Sequence, residues 1–374
     1  MLEMSAACRL GSFELDIEFA APTDGIVALF GKSGSGKTSV VNLLAGLLRP
    51  ARGRIAVNGA VLFDSEAGID LPPERRRLGY VFQEGRLFPH LDVRRNLHYG
   101  LRRTPAGEHH ADLDRIVGLL GIGHLLARRP ADLSGGEKQR IAIGRALLAH
   151  PRVLLMDEPL ASLDAARKDE ILPFVEQLRD ELRLPIVYVS HDSGELLRLA
   201  DTVVLMSDGK AAAVGPLEEI MSRLDLRPLT GRYEAGAVLR ARVEAQDPEL
   251  GLTHLAFPGG MLHVARLDLP HGTEIRVRLR ARDVAIALTR PTDISILNVF
   301  PGRIVEVGNG DGPHVDLKLD IGVPLWARVT LRSARDLGLS PGREVYALIK
   351  AVAIDRHSLG RRRARPGEED AVPL

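Results

Sequence analysis

The chain has 374 residues, 45% of them apolar and 26% charged, a size that gives room for two or three domains, each with its own core. Its 50 Lys+Arg against 49 Asp+Glu leave a formal net charge of +1, so no basic footprint for nucleic acid is present. A single cysteine, Cys8, excludes an intrachain disulfide, and no apolar run approaches the ~20 residues needed to span a bilayer.

In chain order, the start MLEMSAACRLGSFELD lacks the basic and apolar stretches of a secretion signal, so a cytoplasmic protein is expected. FELDIEFA (13–20) alternates apolar and polar residues like an antiparallel strand. GIVALFG (25–31), RVLLMDEP (152–159) and LPIVYVSH (184–191) are short apolar runs of the buried, parallel-strand type. Helices are expected at 37–47, 112–121, 135–149, 165–182 and 193–199, and 92–130 reads as a mostly helical insertion after a loop at 83–91. TVVLMSDGKAAAVG (202–215) reads as a hairpin turning at Asp208-Gly209. This alternation makes residues 1–220 one α/β unit with a helical subdomain at about 92–150, followed by a linker at 221–234.

From residue 235 to 356 the texture changes to short alternating segments separated by turns, which indicates a β-barrel or sandwich; an OB-like barrel is expected. RPTDISILNVF (290–300) marks a join between two small β units. The tail 357–374 has little to bury and is expected to be disordered, with the RRRAR cluster solvated rather than bound to anionic lipid.

Chemistry concentrates in a few motifs. FGKSGSGKT (30–38) follows a predicted strand, opens a predicted helix and fits G-x-x-x-x-G-K-[ST]. Gly31, Lys32, Ser33, Gly34, Ser35, Gly36, Lys37, Thr38 and Ser39 are therefore candidate ATP-binding positions, with Lys32 at a variable place and given no role of its own. Backbone N–H groups from Gly34 to Thr38 can cradle the β-phosphate, Lys37 can reach the β- and γ-phosphates, and Thr38 can bind Mg²⁺. VLLMDEP delivers Asp157 and Glu158 to a strand's C-terminal edge, where sheet ligands bind. Asp157 is assigned to the Mg²⁺ shell and Glu158 to the attacking water. His191, closing VYVSH, either caps and packs or contacts the γ-phosphate or that water. Gln83, in YVFQEGRLFPH, sits where a third strand would end, and its neutral amide can bind Mg²⁺ or water. In LSGGE (133–137) Ser134 caps a helix, while Gly135 and Gly136 open its first N–H groups to an anion.

Together these motifs resemble the ATP-binding-cassette family of transport ATPases, in the family's order over residues 1–220. LSGGE is similar to its signature motif, Gln83 to its Q-loop residue, Ser162-Leu163-Asp164 to its D-loop and His191 to its switch histidine. The resemblance implies two cassettes stacked head to tail, with Ser134, Gly135 and Gly136 of one chain closing over ATP held by the other, and hence a homodimer. It also implies an aromatic on adenine, for which Phe13 is the nearest residue and Leu10 the other position; ordinary core is the preferred reading of Phe13. A cassette without a transmembrane run must energise a separate permease. Region 92–130 with Arg86, Leu87, Phe88 and Pro89 would receive its coupling helix, with Leu87 and Phe88 exposed unless they pack locally.

Among import cassettes with C-terminal β domains, the chain resembles the molybdate-import ATP-binding subunit, through ALFGKSGSGKTSVVNLLAGLLRP and GRLFPHLDVRRNLHYG. Residues 295–354 resemble a small molybdate-binding β module, in which sites lie between copies; Ser295, Thr330, Ser333 and Lys350 are the candidate oxyanion ligands and Trp326 is expected in the core. The resemblance implies ATP-driven molybdate import at the cytoplasmic face of the inner membrane, with permease subunits and, indirectly, an external molybdate-binding protein as partners. Import of sulfate, ferric iron, polyamine or sugar is the alternative cargo. A nucleic-acid-maintenance or translation cassette is disfavoured, because no coiled coil, tandem cassette or basic surface is present.

Overall fold

The computed structural model describes residues 1–101, 113–161, 163–182, 184–223, 225–226, 229, 236–308, 312–354 and 359–361. The chain divides into two compact units, Met1–Pro216 and Leu217–Leu374.

The first unit is built on a six-stranded sheet in the order Lys210–Pro216, Thr202–Ser207, Ile26–Phe30, Ile186–Ser190, Val153–Asp157, Leu78–Val81. All pairs are parallel except the hairpin of Thr202–Ser207 with Lys210–Pro216, which turns at Asp208-Gly209 as expected. The three central strands Ile26–Phe30, Val153–Asp157 and Ile186–Ser190 are buried at every position, because each face of the sheet is covered. Alternate residues feed two different cores. Leu154, Met156, Ile186 and Tyr188 face a helical layer that includes Leu97, Ile116, Ile143 and Val175. Val153, Leu155, Val187 and Val189 face the helix Lys37–Ala45 and a second, antiparallel sheet. That sheet runs Phe13–Ala21, Leu2–Leu10, Arg52–Val57, Ala60–Asp64, Ile69–Asp70.

The helices Ala165–Leu182 and Ser193–Leu199 occupy their expected ranges, and Lys37–Ala45, Leu113–Leu119 and Gly135–Leu147 are shorter than expected. Residue 112, the expected start of one helix, lies outside the described residues. No strand was expected at Leu2–Leu10 or between Arg52 and Asp70. Those segments pair with each other at long range; Arg52–Val57 opens on Arg-Gly-Arg, whereas Leu2–Leu10 alternates and is fixed as a strand by its partners on both sides.

The second unit consists of two five-stranded antiparallel sheets. One runs Gly260–Ala265, Leu252–Phe257, Gly236–Asp247, Glu274–Arg280, Leu359–Arg361; the other runs Val284–Ala287, Glu344–Ile349, Asn298–Gly308, His314–Asp320, Pro324–Thr330. One core of aliphatic residues from both sheets surrounds Trp326, which is 1% exposed as a core residue should be. Where a barrel was expected, the ladders define two sheets. The end strands of the second, Val284–Ala287 and Pro324–Thr330, lie side by side, but among the described residues no ladder joins them.

Two boundaries differ from the sequence expectation. The helix Leu217–Ser222 belongs to the second unit, because Leu217 and Ile220 are buried there and Trp326 Nε1 donates to Ser222 O at 2.8 Å. Leu359–Arg361, expected in a disordered tail, forms an edge strand on Glu274–Arg280 in the register Ile275↔Arg361. The rest of that tail, 357–358 and 362–374, and most of the expected linker, including 230–234, lie outside the described residues.

Glu218 anchors the Leu217–Ser222 helix by accepting from both Arg240 Nε and Arg276 Nε at 3.0 Å. Burial alone would raise its pKa; Arg276 and Arg240 outweigh burial and hold the carboxyl down at about 2, from an ordinary 4.5. Linkage makes that difference worth on the order of 3 kcal/mol. Because the folded pKa is the lower one, this stability is present above about pH 4.5 and lost as pH falls toward 2. Glu218→Gln should lower the melting temperature of the second unit at neutral pH and flatten its acid destabilisation in that window. Scanning calorimetry of parent and variant across pH checks both, and coincident curves would mean the pair contributes no net stability.

Candidate nucleotide site

Because neighbouring strands are parallel, their C-terminal ends share one sheet edge: Val81 pairs with Met156, Asp157 with Val189 and Phe30 with Ser190. The residues that follow, Phe82-Gln83, Glu158, His191 and the loop from Gly31, are thereby collected at that edge.

The loop 31–36 is wound tightly enough to demand its glycines. A Cβ on Gly31 would lie 2.3 Å from Met206 O, and Gly36 has φ +98 with Leu15 Cδ1 at 2.9 Å and Phe13 Cζ at 3.2 Å from its missing Cβ. Phe13 is thus half-buried against the loop. Lys32, Ser33 and Gly34 are exposed, and Ser39 lies half-buried in the first turn of the helix Lys37–Ala45.

Lys37 is 4% exposed and curls back so that Nζ donates to Gly31 O at 2.8 Å and Lys32 O at 2.9 Å. Burial lowers its pKa, opposed by the charges of Glu158 and Asp157. Ser35 Oγ is buried without a hydrogen-bond partner. Thr38, exposed, donates from Oγ1 to Asp157 Oδ1 at 3.1 Å. An unpartnered buried hydroxyl, an ammonium held by its own loop and a hydroxyl–carboxylate pair fit a polyphosphate with its Mg²⁺.

Asp157 ends its strand buried, which raises its pKa, while hydrogen bonds from Thr38 and Tyr80 pull the other way. Tyr80 escaped the sequence reading. Its hydroxyl lies 3.3 Å from Asp157 Oδ2 and 3.1 Å from Asn42 Oδ1, and its ring stacks on Phe82 at 4.0 Å. The signal was its place in LGYVFQ, two residues before the end of a strand pattern and three before Gln83. Glu158 has φ +45, left-handed backbone that disfavours any residue with a Cβ by about 1 kcal/mol or more, and its N–H donates to Val189 O at 3.1 Å. That turn directs Glu158 Oε1 to within 3.4 Å of His191 Nδ1. Gln83 is exposed at the same edge and touches neither carboxylate.

The loop after Gln83 is more tightly packed than expected. Leu87 and Phe88 are half-buried, not exposed. Asn96 accepts from Phe88 N and donates to Phe88 O and Leu91 O, and Phe88 packs on Tyr99 at 4.5 Å. Arg145 donates to the carbonyls of Gly85 and Arg86 and lies 5.1 Å from the Phe88 ring centre.

The helix Gly135–Leu147 starts in a capping box: Ser134 Oγ accepts from Glu137 N at 3.3 Å and Glu137 Oε2 accepts from Ser134 N at 2.7 Å. A Cβ on Gly135 would meet Leu163 Cδ2 at 3.1 Å and one on Gly136 would meet Ile171 Cδ1 at 3.4 Å. Among the described residues no hydrogen bond links this helix start to the loop 31–38. Asp164 accepts from Arg167 N at 3.0 Å; Ser162 lies outside the described residues.

In the second unit Thr330 Oγ1 and Ser333 Oγ are 2.8 Å apart, and Thr330 caps the helix Leu331–Asp336. Ser295 and Lys350 are exposed and flank the Asn298↔Ile349 pair. Thr330 pairs instead with His314, beyond the Gly308↔Asp316 end of the same sheet. Strand register therefore places Ser295 and Lys350 toward one end of the sheet and Thr330 with Ser333 toward the other.

A model of the ABC transporter family matches residues 15–161, and one of the TOBE domain matches residues 294–355. The molybdenum import ATP-binding protein ModC of Paramagnetospirillum magneticum is 57% identical over 357 residues, 95% of this chain and 98% of the relative. ModC of Rhodospirillum rubrum is 52% identical over 96% of this chain and 98% of its own length. Among solved structures, cbiO1 from Clostridium perfringens, part of the ABC transporter complex cbiONQ, matches 61% of this chain and 92% of its own with a TM-score of 0.50 and 26% identity. With more than half of the residues shared along nearly the full length of both chains, this chain belongs to the ABC transporter family, among the ModC ATP-binding proteins, and is an ATP-hydrolysing transport subunit.

Proposed function

We propose that two copies of this chain hydrolyse ATP at shared sites and thereby energise molybdate import through separate transmembrane permease subunits, at the cytoplasmic face of the inner membrane. One observation carries the shared-site reading. Lys37, Thr38, Asp157, Glu158 and His191 gather at one sheet edge, whereas the helix start at Ser134 has its neighbours at Leu163 and Ile171. Each chain then offers a phosphate cradle and a separate anion-binding helix start, which a second copy can complete.

In this reading the loop 31–39 wraps the β-phosphate, and Lys37 exchanges the carbonyls of Gly31 and Lys32 for the β- and γ-phosphate oxygens. Thr38 and Asp157 would hold Mg²⁺, with Gln83 joining from its exposed loop, and the bound ion would supply neutralisation of charge on the phosphate oxygens. Glu158 orients the attacking water and takes its proton as the bond from oxygen to the γ-phosphorus forms and the bond to ADP breaks. His191, held against Glu158, donates to the γ-phosphate. Ser134, Gly135 and Gly136 of the partner chain close over the same γ-phosphate. The half-buried loop at Leu87 and Phe88, braced by Asn96 and Arg145, presents Arg86, Pro89 and His90 to the permease.

The cargo follows from the names borne by relatives that share more than half of this sequence, molybdenum import ATP-binding proteins. The second sheet of the C-terminal unit is read as an OB-like barrel. Its two ligand pairs, Ser295 with Lys350 and Thr330 with Ser333, suit an oxyanion only where two copies bring opposite ends together.

Replacing Glu158 by Gln should leave ATP binding intact and slow steady-state hydrolysis at least ~100-fold; unchanged turnover in a coupled phosphate assay would remove Glu158 from the mechanism. A mixed dimer of Ser134→Arg with Lys37→Ala chains, each inactive alone, should regain about half of one dimer's activity, because one composite site is intact. No recovery would contradict sharing. Titration calorimetry with molybdate, with sulfate as control at fixed ionic strength, should give saturable heat that Lys350→Ala or Thr330→Ala removes; selective heat with sulfate would redirect the cargo.

A further inference from the structure

Beneath His191 lies a hydrogen-bonded network that the reaction itself does not use. Glu195, 4% exposed, accepts from Tyr188 OH at 2.9 Å and Ser190 Oγ at 2.8 Å through one oxygen, and from Lys168 Nζ at 2.7 Å through the other. Lys168 Nζ also reaches Asp192 Oδ2 at 2.8 Å. Asp192 in turn caps the helix Ser193–Leu199 through Gly194 N and Glu195 N, and its own N–H donates to Ser190 Oγ at 3.0 Å. Both chain neighbours of His191 are thus tied down, while the imidazole itself is 53% exposed and lies against Glu158.

The tie comes from a separate element. Lys168 stands in the first turn of Ala165–Leu182, the helix that follows Leu163-Asp164, and its N–H donates to Asp164 O at 3.0 Å. A lysine reaching from that helix into a buried carboxylate fixes the distance between the Asp164 turn and the His191 turn. Neutralising either partner would leave the other charge part-buried and uncompensated, so the bridge holds one geometry firmly.

We infer that Lys168 and Glu195 are positioning residues for His191: their bridge sets the imidazole against Glu158 and links it rigidly to the Asp164 turn. This rests on the role given to His191 above. Lys168→Met leaves the buried Glu195 carboxylate without its counter-charge and should lower the melting temperature, so rates are compared below the variant's transition, with Lys168→Arg as the charge-keeping control.

The test is a double-mutant cycle on basal ATP hydrolysis by the full chain, with nucleotide affinity measured separately by fluorescent-nucleotide titration. Lys168→Met should lower kcat about tenfold with KM and nucleotide affinity within twofold of the parent, and Lys168→Arg should restore most of the loss. In a His191→Ala background Lys168→Met should cost nothing further, because the residue it positions is gone. An unchanged kcat in Lys168→Met, or losses that multiply fully in the double variant, would overturn the inference and leave His191 in place. His191→Ala with parental kcat would instead overturn the role of His191 itself.

Discussion

The parallel register of the central strands governs what the rest of the first unit can do. Val81, Asp157, Phe30 and Ser190 finish their strands along one edge, so four loops of unrelated sequence emerge side by side. Backbone hydrogen bonds and full burial on both faces hold that edge still. Local conformation then aims each side chain. The glycines at 31 and 36 let backbone N–H groups crowd inward, and the left-handed turn at Glu158 points its carboxylate toward His191. A left-handed glutamate is unfavourable on its own and persists because strands on either side leave it no alternative.

Polar burial around the edge serves the same end. Asp157 is held at both oxygens, by Thr38 and Tyr80, and Tyr80 is itself shared with Asn42. Glu195 has three donors around it. Satisfied networks of this kind fix geometry before ligand arrives, which is where electrostatic assistance to phosphoryl transfer comes from. The helix start at Ser134 is preorganised by different means, its capping box already closed within one chain while the N–H groups of Gly135 and Gly136 stay at its open end.

Much of this was legible in the sequence because it is local. A phosphate loop, a strand-end acidic pair and a capping box are each encoded within about ten residues, and the helices Ala165–Leu182 and Ser193–Leu199 follow from their own periodicity. What escaped depends on distant partners. Leu2–Leu10 is a strand because it lies between Phe13–Ala21 and Arg52–Val57. Leu217–Ser222 joins the second unit because Arg240 and Arg276 find Glu218. Leu87 is half-buried because it packs on the helical core, and Phe88 because Tyr99 lies against its ring and Asn96 holds its backbone. Tyr80 is visible only once its strand is laid beside the one carrying Asp157.

The second unit carries the same lesson into regulation. Ser295, Thr330, Ser333 and Lys350 are the candidate oxyanion ligands of a module whose sites are expected between copies, and strand register sets Thr330 and Ser333 toward one end of the sheet and Ser295 and Lys350 toward the other. Within one chain the Thr330–Ser333 group has few donors to offer a tetrahedral dianion, since Ser333 N already serves Thr330 Oγ1. In the proposed reading a ligand that draws on both groups binds where two copies are apposed, and its affinity then depends on how they are apposed. That dependence is the condition for control: an oxyanion can bias the ATPase cycle only if it binds the two arrangements of the dimer unequally, and by reciprocity ATP then alters oxyanion affinity by the same factor.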